Sequence, residues 1–162
     1  MSSVEDLDAI LRAQDVEYEH PSPDAFVVAL PGEKRLKTAC WLTVGAHGLD
    51  IQAFVMRKPE ENHEKVYAVL LQHNARTFAV SWAMDDMGDI YLSGRLPLSA
   101  ITADEIDHVL GSVLEYADGM FNHLLELGFG SSIRREWDWR VKRGESLANL
   151  QAFQEFATRP AE

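Results

Sequence analysis

Residues 37–56 read KTACWLTVGAHGLDIQAFVM, and the fold turns on how they pair. Leu49, Ile51, Ala53 and Val55 alternate with Asp50 and Gln52. That is the period of a strand with one dry face and one wet face. Lys37–Val44 forms a second strand, and the Gly45-Ala46-His47-Gly48 segment between them is of hairpin length. The two strands are therefore predicted to run antiparallel. The alternation weakens at Phe54 and Met56, which predicts partial cover on both faces there.

Working outward, Ala25–Leu30 is a third strand, closed by Pro31-Gly32, with Pro21 and Pro23 in the loop ahead of it. Thr77–Ala83 and Ile90–Leu96 form another hairpin around the acidic turn Asp85–Asp89. Phe78, Val80 and Trp82 fall on one side of it, and Phe78 and Val80 are predicted to be core. Helical spacing places helices over Ser3–Gln14 and Glu60–Asn74. Ser2 with Glu5 makes a capping box, and so does Thr102 with Glu105. From Thr102 an apolar stripe runs through Ile106, Val109, Val113, Ala117, Phe121 and Leu124. Gly128 and Gly130 are predicted to end that helix. Leu114 and Phe121 are expected in the core, where truncation to alanine costs about 2–5 kcal/mol.

These elements give the order α-β-β-β-α-β-β-α. The fold class is α+β, an antiparallel sheet of about five strands flanked by helices. Residues 1–143 form a single domain. Residues 144–162 form a C-terminal tail with a short helix after Ser146, and Thr158–Glu162 reads as a frayed end.

The chain has 162 residues, enough to bury a core without staples. Hydrophobic residues at 46% and charged residues at 25% exclude disorder as a general state. The net charge of -11 disfavours nucleic acid and anionic membrane and would attract a basic partner surface. Cys40 is the single cysteine, predicted to be a small buried hydrophobe beside Trp41. No apolar run reaches membrane-spanning length, and no signal-peptide core opens the chain. A cytoplasmic location is expected.

The search for chemistry assigns no catalytic, cofactor-binding or metal-binding residue. Glu-x-x-His occurs at Glu60/His63 and Glu105/His108, the repeat that di-iron bundles use, but this chain has too few long helices for a bundle. No two histidines stand at His-x-x-x-His spacing. Asp85, Asp86 and Asp89 crowd one turn without matching a calcium loop, and aspartate is a common turn residue. The segment Arg134–Arg143 interleaves Arg134, Arg135, Arg140, Lys142 and Arg143 with Trp137 and Trp139. Such a pattern can bind nucleic acid or an acidic protein group. In so acidic a chain the favoured reading is that the tryptophans pack down and the arginines pair with the domain's own carboxylates.

Gly88-Asp89-Ile90-Tyr91-Leu92-Ser93-Gly94-Arg95-Leu96-Pro97-Leu98, the long capped helix, then Leu125–Phe129 and Ser132–Trp137 resemble the YbjN family of bacterial proteins, labelled sensory transduction regulators. The resemblance is best over Trp41–Arg140. It implies a fold similar to type III secretion chaperones, which are small, acidic and dimeric, with the same element order. It carries over no catalytic residues.

The leading functional reading is a non-catalytic, chaperone-like module that forms a homodimer and binds a protein or peptide partner. Candidate contacts are Trp41, Phe54, Trp82, Tyr91, Arg95, Arg134, Arg135, Trp137 and Trp139, since aromatics and arginine dominate binding hot spots. Core packing is the commoner role for each aromatic taken singly. The alternative of an enzyme needs Asp89, Arg95 and Arg134 to converge on an open pocket. The alternative of a nucleic-acid-binding regulator rests on Arg134, Arg135 and Arg140.

Overall fold

The computed structural model describes residues 2–159. Helix α1 (Ser3–Ala13) begins on the predicted capping box, with the Glu5 N–H donating to the Ser2 hydroxyl at 3.2 Å. The strands are β1 (Glu17–Ser22), β2 (Ala25–Pro31), β3 (Lys37–Val44), β4 (Gly48–Met56), β5 (Ser81–Met84) and β6 (Ile90–Pro97). Helix α2 (His63–Asn74) lies between β4 and β5. Helix α3 (Ala103–Arg143) and the short α4 (Gln154–Thr158) follow β6. All strand pairs are antiparallel, in the order β1-β2-β3-β4-β6-β5. The α+β class and antiparallel sheet stand as read from the sequence, with a sixth strand at one edge.

That extra strand is β1, where a loop was expected. Its sequence Glu17-Tyr18-Glu19-His20-Pro21-Ser22 is polar and contains proline, so it lacks an apolar strand signature. Charge and proline on an edge strand block further pairing. Tyr18 and His20 turn inward: the Tyr18 hydroxyl donates to Asp8 of α1 at 2.7 Å, and the His20 ring stacks on Phe26 at 4.1 Å between centroids.

One face of the sheet carries the core. Val28, Cys40, Leu42, Ile51, Ala53 and Leu92 lie under Leu7 and Leu11 of α1, Val66 and Leu70 of α2, and Ile106, Val109, Val113 and Leu124 of α3. Cys40 is buried there, and desolvation pushes its thiol up to about 12. The weakened alternation at the end of β4 is a bulge. Phe54 pairs with Tyr91 and Met56 with Ile90, leaving Val55 as the extra residue, so Val55 and Met56 are both buried.

Three sequence expectations are corrected. First, β5 is short, and Phe78 is 51% exposed rather than core. Ala79 takes φ 69°, which turns the chain and breaks the period of two before Ser81. The Phe78 ring instead stacks on His108 at 4.3 Å between centroids. Second, Leu114 and Phe121 are only partly buried. Third, Gly128 and Gly130 do not end α3, which runs 41 residues to Arg143 with a kink at Phe129 (φ -134°).

The kink survives because the segment before α2 satisfies the backbone groups it frees. The Gly128 carbonyl accepts from Glu60 N–H at 2.9 Å and Glu61 N–H at 3.1 Å. The Leu127 carbonyl accepts from the Asn62 side chain at 2.9 Å. On the other side of the kink, the Glu61 carboxylate caps Ser131, accepting from its N–H at 2.6 Å and its hydroxyl at 2.7 Å. Gly128 is needed for contact, since a Cβ there would stand 3.0 Å from Pro59 Cβ. This diversion of Glu60 and Glu61 also explains why α2 starts at His63 and not at Glu60.

The bond from Ser131 N–H, followed by that from its hydroxyl, holds the Glu61 carboxyl below the usual carboxylate range. A carboxylate with a depressed folded-state pKa stabilises the fold above the unfolded value, and that contribution is lost as pH falls through the folded value. Glu61→Gln is therefore expected to cost about 1 kcal/mol near neutral pH, the usual size of a lost helix cap. The difference from wild type should shrink below about pH 4, measured by urea unfolding across a pH series. A constant difference at all pH values would show that the charge is not involved.

Gly144 (φ 67°) closes α3. The tail then folds back through a 3-10 turn, Ala148–Phe153, and α4. It buries Phe153 and Ala157, with Trp137 of α3 also buried. Of the frayed end expected from the sequence, residues 160–162 lie outside the described residues.

Candidate partner-binding surface

The strand period that buries one face of the sheet presents the other. Val27, Trp41, Gln52 and Ser93 form one cross-strand row on the outer face, continued by Ser81. The neighbouring row carries Phe54, Tyr91 and Ala83. Trp41 is 45% exposed and Phe54 39%, and the Phe54 and Tyr91 rings meet edge to face at 5.5 Å. At the far end of this face Arg95 pairs with Asp50 at 2.8 Å, a solvated pair of little energetic weight. Of the aromatic candidates named from the sequence, Trp41, Phe54 and Tyr91 are thus brought together on one accessible sheet face.

A cleft of about 600 Å³ adjoins this face at Phe54. Its floor is Val55, Met56 and Arg57 at the end of β4. One wall is α3, through Phe121, Leu125, Phe129 and Ile133, and the tail closes the other with Leu150 and Phe153. Arg35, in the β2–β3 connection, reaches over the rim. Its Nε donates to the Val55 carbonyl at 3.0 Å and its Nη1 to the Lys37 carbonyl. Its guanidinium carbon stands 6.0 Å from the Phe54 ring centroid and 5.5 Å from that of Phe121, cation–π distances. Partial burial lowers the Arg35 pKa through desolvation. Asp118 holds this connection in place, accepting from the N–H groups of Lys34 at 2.8 Å and Arg35 at 2.9 Å.

Other candidates fall elsewhere. Trp82 points into the core side, 6% exposed, with its indole N–H donating to His73 Nδ1 at 2.8 Å, which removes it from any outer contact. Trp137 is buried at 7% exposure and is likewise removed from outer contact, whereas Trp139 is exposed under the Arg143 guanidinium at 4.5 Å. Arg134 lies over the Phe156 ring at 4.2 Å, and Arg135 donates to the Ser132 hydroxyl. Arg140 pairs with Glu136 at 2.7 Å, and Arg143 with Glu145 at 3.4 Å. The basic segment is thus the end of a helix with part of its charge internally answered.

Asp89, Arg95 and Arg134 do not converge. Asp89 receives the Lys58 N–H at 2.8 Å just before β6, and Arg95 lies six residues further along, about 20 Å in an extended strand. Arg134 belongs to α3 beyond the kink. In the acidic turn, the Asp85 carboxylate is taken by the N–H groups of Met87 and Asp89, both at 2.9 Å. His63 bonds the Pro59 carbonyl at 2.7 Å, four residues back. Among the described residues no group of three or more His, Cys, Asp or Glu is placed to hold a metal ion. No helix there is long and apolar enough to cross a membrane.

Arg35 was not singled out in the sequence. It reads as one more charge in the Glu33-Lys34-Arg35 turn, and only tertiary packing carries it to the cleft.

Comparison with known proteins places this geometry in context. The family model described as "YbjN: Putative bacterial sensory transduction regulator" matches residues 3–126. An uncharacterized protein of Mycobacterium leprae is 56% identical over 148 residues, covering 88% of this chain and 80% of that protein. One from Mycobacterium bovis is 54% identical, covering 88% and 81%. Among solved structures, the ExsC–ExsE complex contains a chain of TM-score 0.55 at 16% identity, covering 75% of this chain and 92% of that one. The heterodimeric ExoU–SpcU complex of the Pseudomonas aeruginosa type III secretion system gives TM-score 0.52 at 16% identity, covering 74% and 95%. At these identities the likeness is one of fold.

Proposed function

Since the chain belongs to the YbjN family, we propose that it is a non-catalytic, chaperone-like module. It acts in the cytoplasm as a homodimer and receives a peptide segment of a partner protein on the outer face of its sheet. The observation that carries this reading is the group Trp41, Phe54 and Tyr91 on the outer sheet face, with Trp41 and Phe54 exposed and Tyr91 partly so. Large aromatics clustered on a rigid strand scaffold are the residue types that anchor interfaces. The two solved neighbours support it, since each was captured as a complex of two different proteins.

The dimer contact is assigned to the other sheet edge. β5 is the terminal strand, and the Asn74 side chain of α2 covers its outer edge at Trp82, accepting from the Trp82 N–H at 2.7 Å and donating to the Trp82 carbonyl at 3.1 Å. Beside it Leu71 of α2 is 70% exposed and Met84 54%, flanking an apolar depression with Tyr67 and Trp82. A second copy of the chain would cover these apolar side chains through side-chain packing.

Affinity capture of the tagged protein from its native lysate, at two salt concentrations, tests the reading. One recurrent protein is expected, retained at high salt because the contact is apolar. Trp41→Asp should abolish its capture while leaving the thermal midpoint within a few degrees of wild type. Leu71→Asp should halve the mass seen by light scattering. Capture undiminished by Trp41→Asp would take the outer face out of the account, and a monomeric wild-type mass would remove the dimer.

A further inference from the structure

The charge balance of the cleft carries an inference beyond partner binding. Four of its lining residues are polar or charged: Arg35, Arg57, Ser132 and Glu136. Arg57 is neutralised by Glu60 at 2.8 Å, and the Ser132 hydroxyl donates to that same carboxylate. Glu136 is neutralised by Arg140 at 2.7 Å. Of the two arginines among them, Arg35 alone has no carboxylate within 4.0 Å of its guanidinium among the described residues. Asp118, the acid next to it, is committed to backbone N–H groups. In a chain with eleven more acids than bases, an apolar cleft thus retains one unanswered, half-buried cation at its rim.

The rest of the lining is hydrocarbon and aromatic ring, and the volume falls within the roughly 300–1,000 Å³ of small-molecule sites. The lining's polar groups other than Arg35 are engaged with Glu60 and Arg140 outside the cleft, so a peptide backbone laid inside would find few partners for its N–H and C=O groups. An alkyl chain has no such groups. We propose that the cleft binds a fatty-acid-type ligand, an unbranched apolar chain ending in a single carboxylate. The chain lies between Met56, Phe121, Phe129, Ile133 and Phe153, and the head group rests on Arg35. A guanidinium and a carboxylate form a charge-assisted pair, strengthened where water is thinned by the Phe54 and Phe121 rings. Ile133, Leu150 and Phe153 lie beyond the residues 3–126 that match the family. The site is therefore one that the shared family domain does not form by itself.

The test uses the full-length purified protein and three probes titrated by calorimetry: dodecanoate and dodecylammonium below their micelle-forming concentrations, and dodecanol below its solubility limit. Dodecanoate is expected to bind at one site per chain, at least tenfold tighter than dodecylammonium, with dodecanol between them. Shortening the acid to octanoate should weaken binding about fourfold for each methylene removed. Arg35→Gln should bring dodecanoate down to the affinity of dodecanol. Unchanged dodecanol binding by that variant would show that the cleft is intact. Ile133→Trp, which fills the cleft, should abolish binding of all three. Equal or tighter binding of dodecylammonium, absence of saturable dodecanoate binding, or an Arg35→Gln variant that binds dodecanoate like wild type would each overturn the proposal. So would crosslinking of a partner peptide inside the cleft in place of the acid. Trp41→Asp is expected to leave dodecanoate binding unchanged, so this proposal and the outer-face reading fail separately.

Discussion

Truncating Leu124 to alanine is expected to lower the unfolding free energy by about 2–5 kcal/mol, as for other buried leucines. Leu124 has no exposed surface and joins the same core cluster as Ile106, Val113 and Ala117 of α3. It stands five residues before the Phe129 kink, where α3 is held by Glu60, Glu61 and Asn62. The surrounding backbone is therefore fixed from two sides and has little freedom to collapse into the cavity. Domains of this kind hold about 5–15 kcal/mol in total, so the loss is a large share. Phe121→Ala, one turn earlier but at the wall of the open cleft, should cost less, about 1–2 kcal/mol, because its ring is only partly buried. Urea denaturation of both variants measures the contrast. Equal losses would mean that the cleft wall is packed as tightly as the core.

Gly94→Ala is the second large effect, expected to destabilise by about 3 kcal/mol although it adds one methyl group. A Cβ at Gly94 would stand 2.3 Å from the Ala79 carbonyl oxygen and 3.1 Å from Val80 Cγ1. Neither side can yield easily. β6 is held between β4 and β5, and Ala79 is fixed at φ 69° by the turn that exposes Phe78. The same substitution at Gly111 or Gly119 of α3 meets nothing within 4 Å. There it should stabilise by about 0.5–1 kcal/mol, since glycine weakens a helix interior. Opposite signs for one chemical change, read as thermal midpoints, would establish that backbone approach at Gly94 is the cause. Loss at all three positions would point instead to a general intolerance of methyl groups.

Gly94 also shows what was legible in the sequence. The segment Gly88–Leu98 carries the family resemblance, but only the path of residues 78–80 explains why a glycine stands in the middle of β6. The β3–β4 hairpin was readable because period-two burial leaves its mark directly on residue type, and the two helix starts because capping is a local bond. β1 was not, since an edge strand is selected for what it prevents and carries charge and proline in place of an apolar pattern. The continuation of α3 through Gly128 and Gly130 was hidden for a different reason. The groups that mend the broken helix come from Glu60, Glu61 and Asn62, more than sixty residues away in sequence.

The candidate surface divides in the same way. Alternation puts Trp41 on the face of Lys37 and Thr43, opposite Cys40 and Leu42, but a tryptophan is as common in a core as at an interface, and the helices pack on the other face. Trp82 and Trp41 were equal candidates by residue type; the structure buries one and exposes the other. Arg35 acquires meaning only through what is missing around it.

The central claim is that the exposed aromatic face of the sheet receives a partner. Its most direct test is a photo-crosslinking amino acid placed at position 41, and separately at position 139, in protein expressed in its own host. Trp139 is as exposed as Trp41, at 47% against 45%, but lies on the far part of α3. The account predicts one recurrent protein adduct from position 41 that is absent from position 139. No adduct from position 41, or the same adducts from both positions, would contradict it.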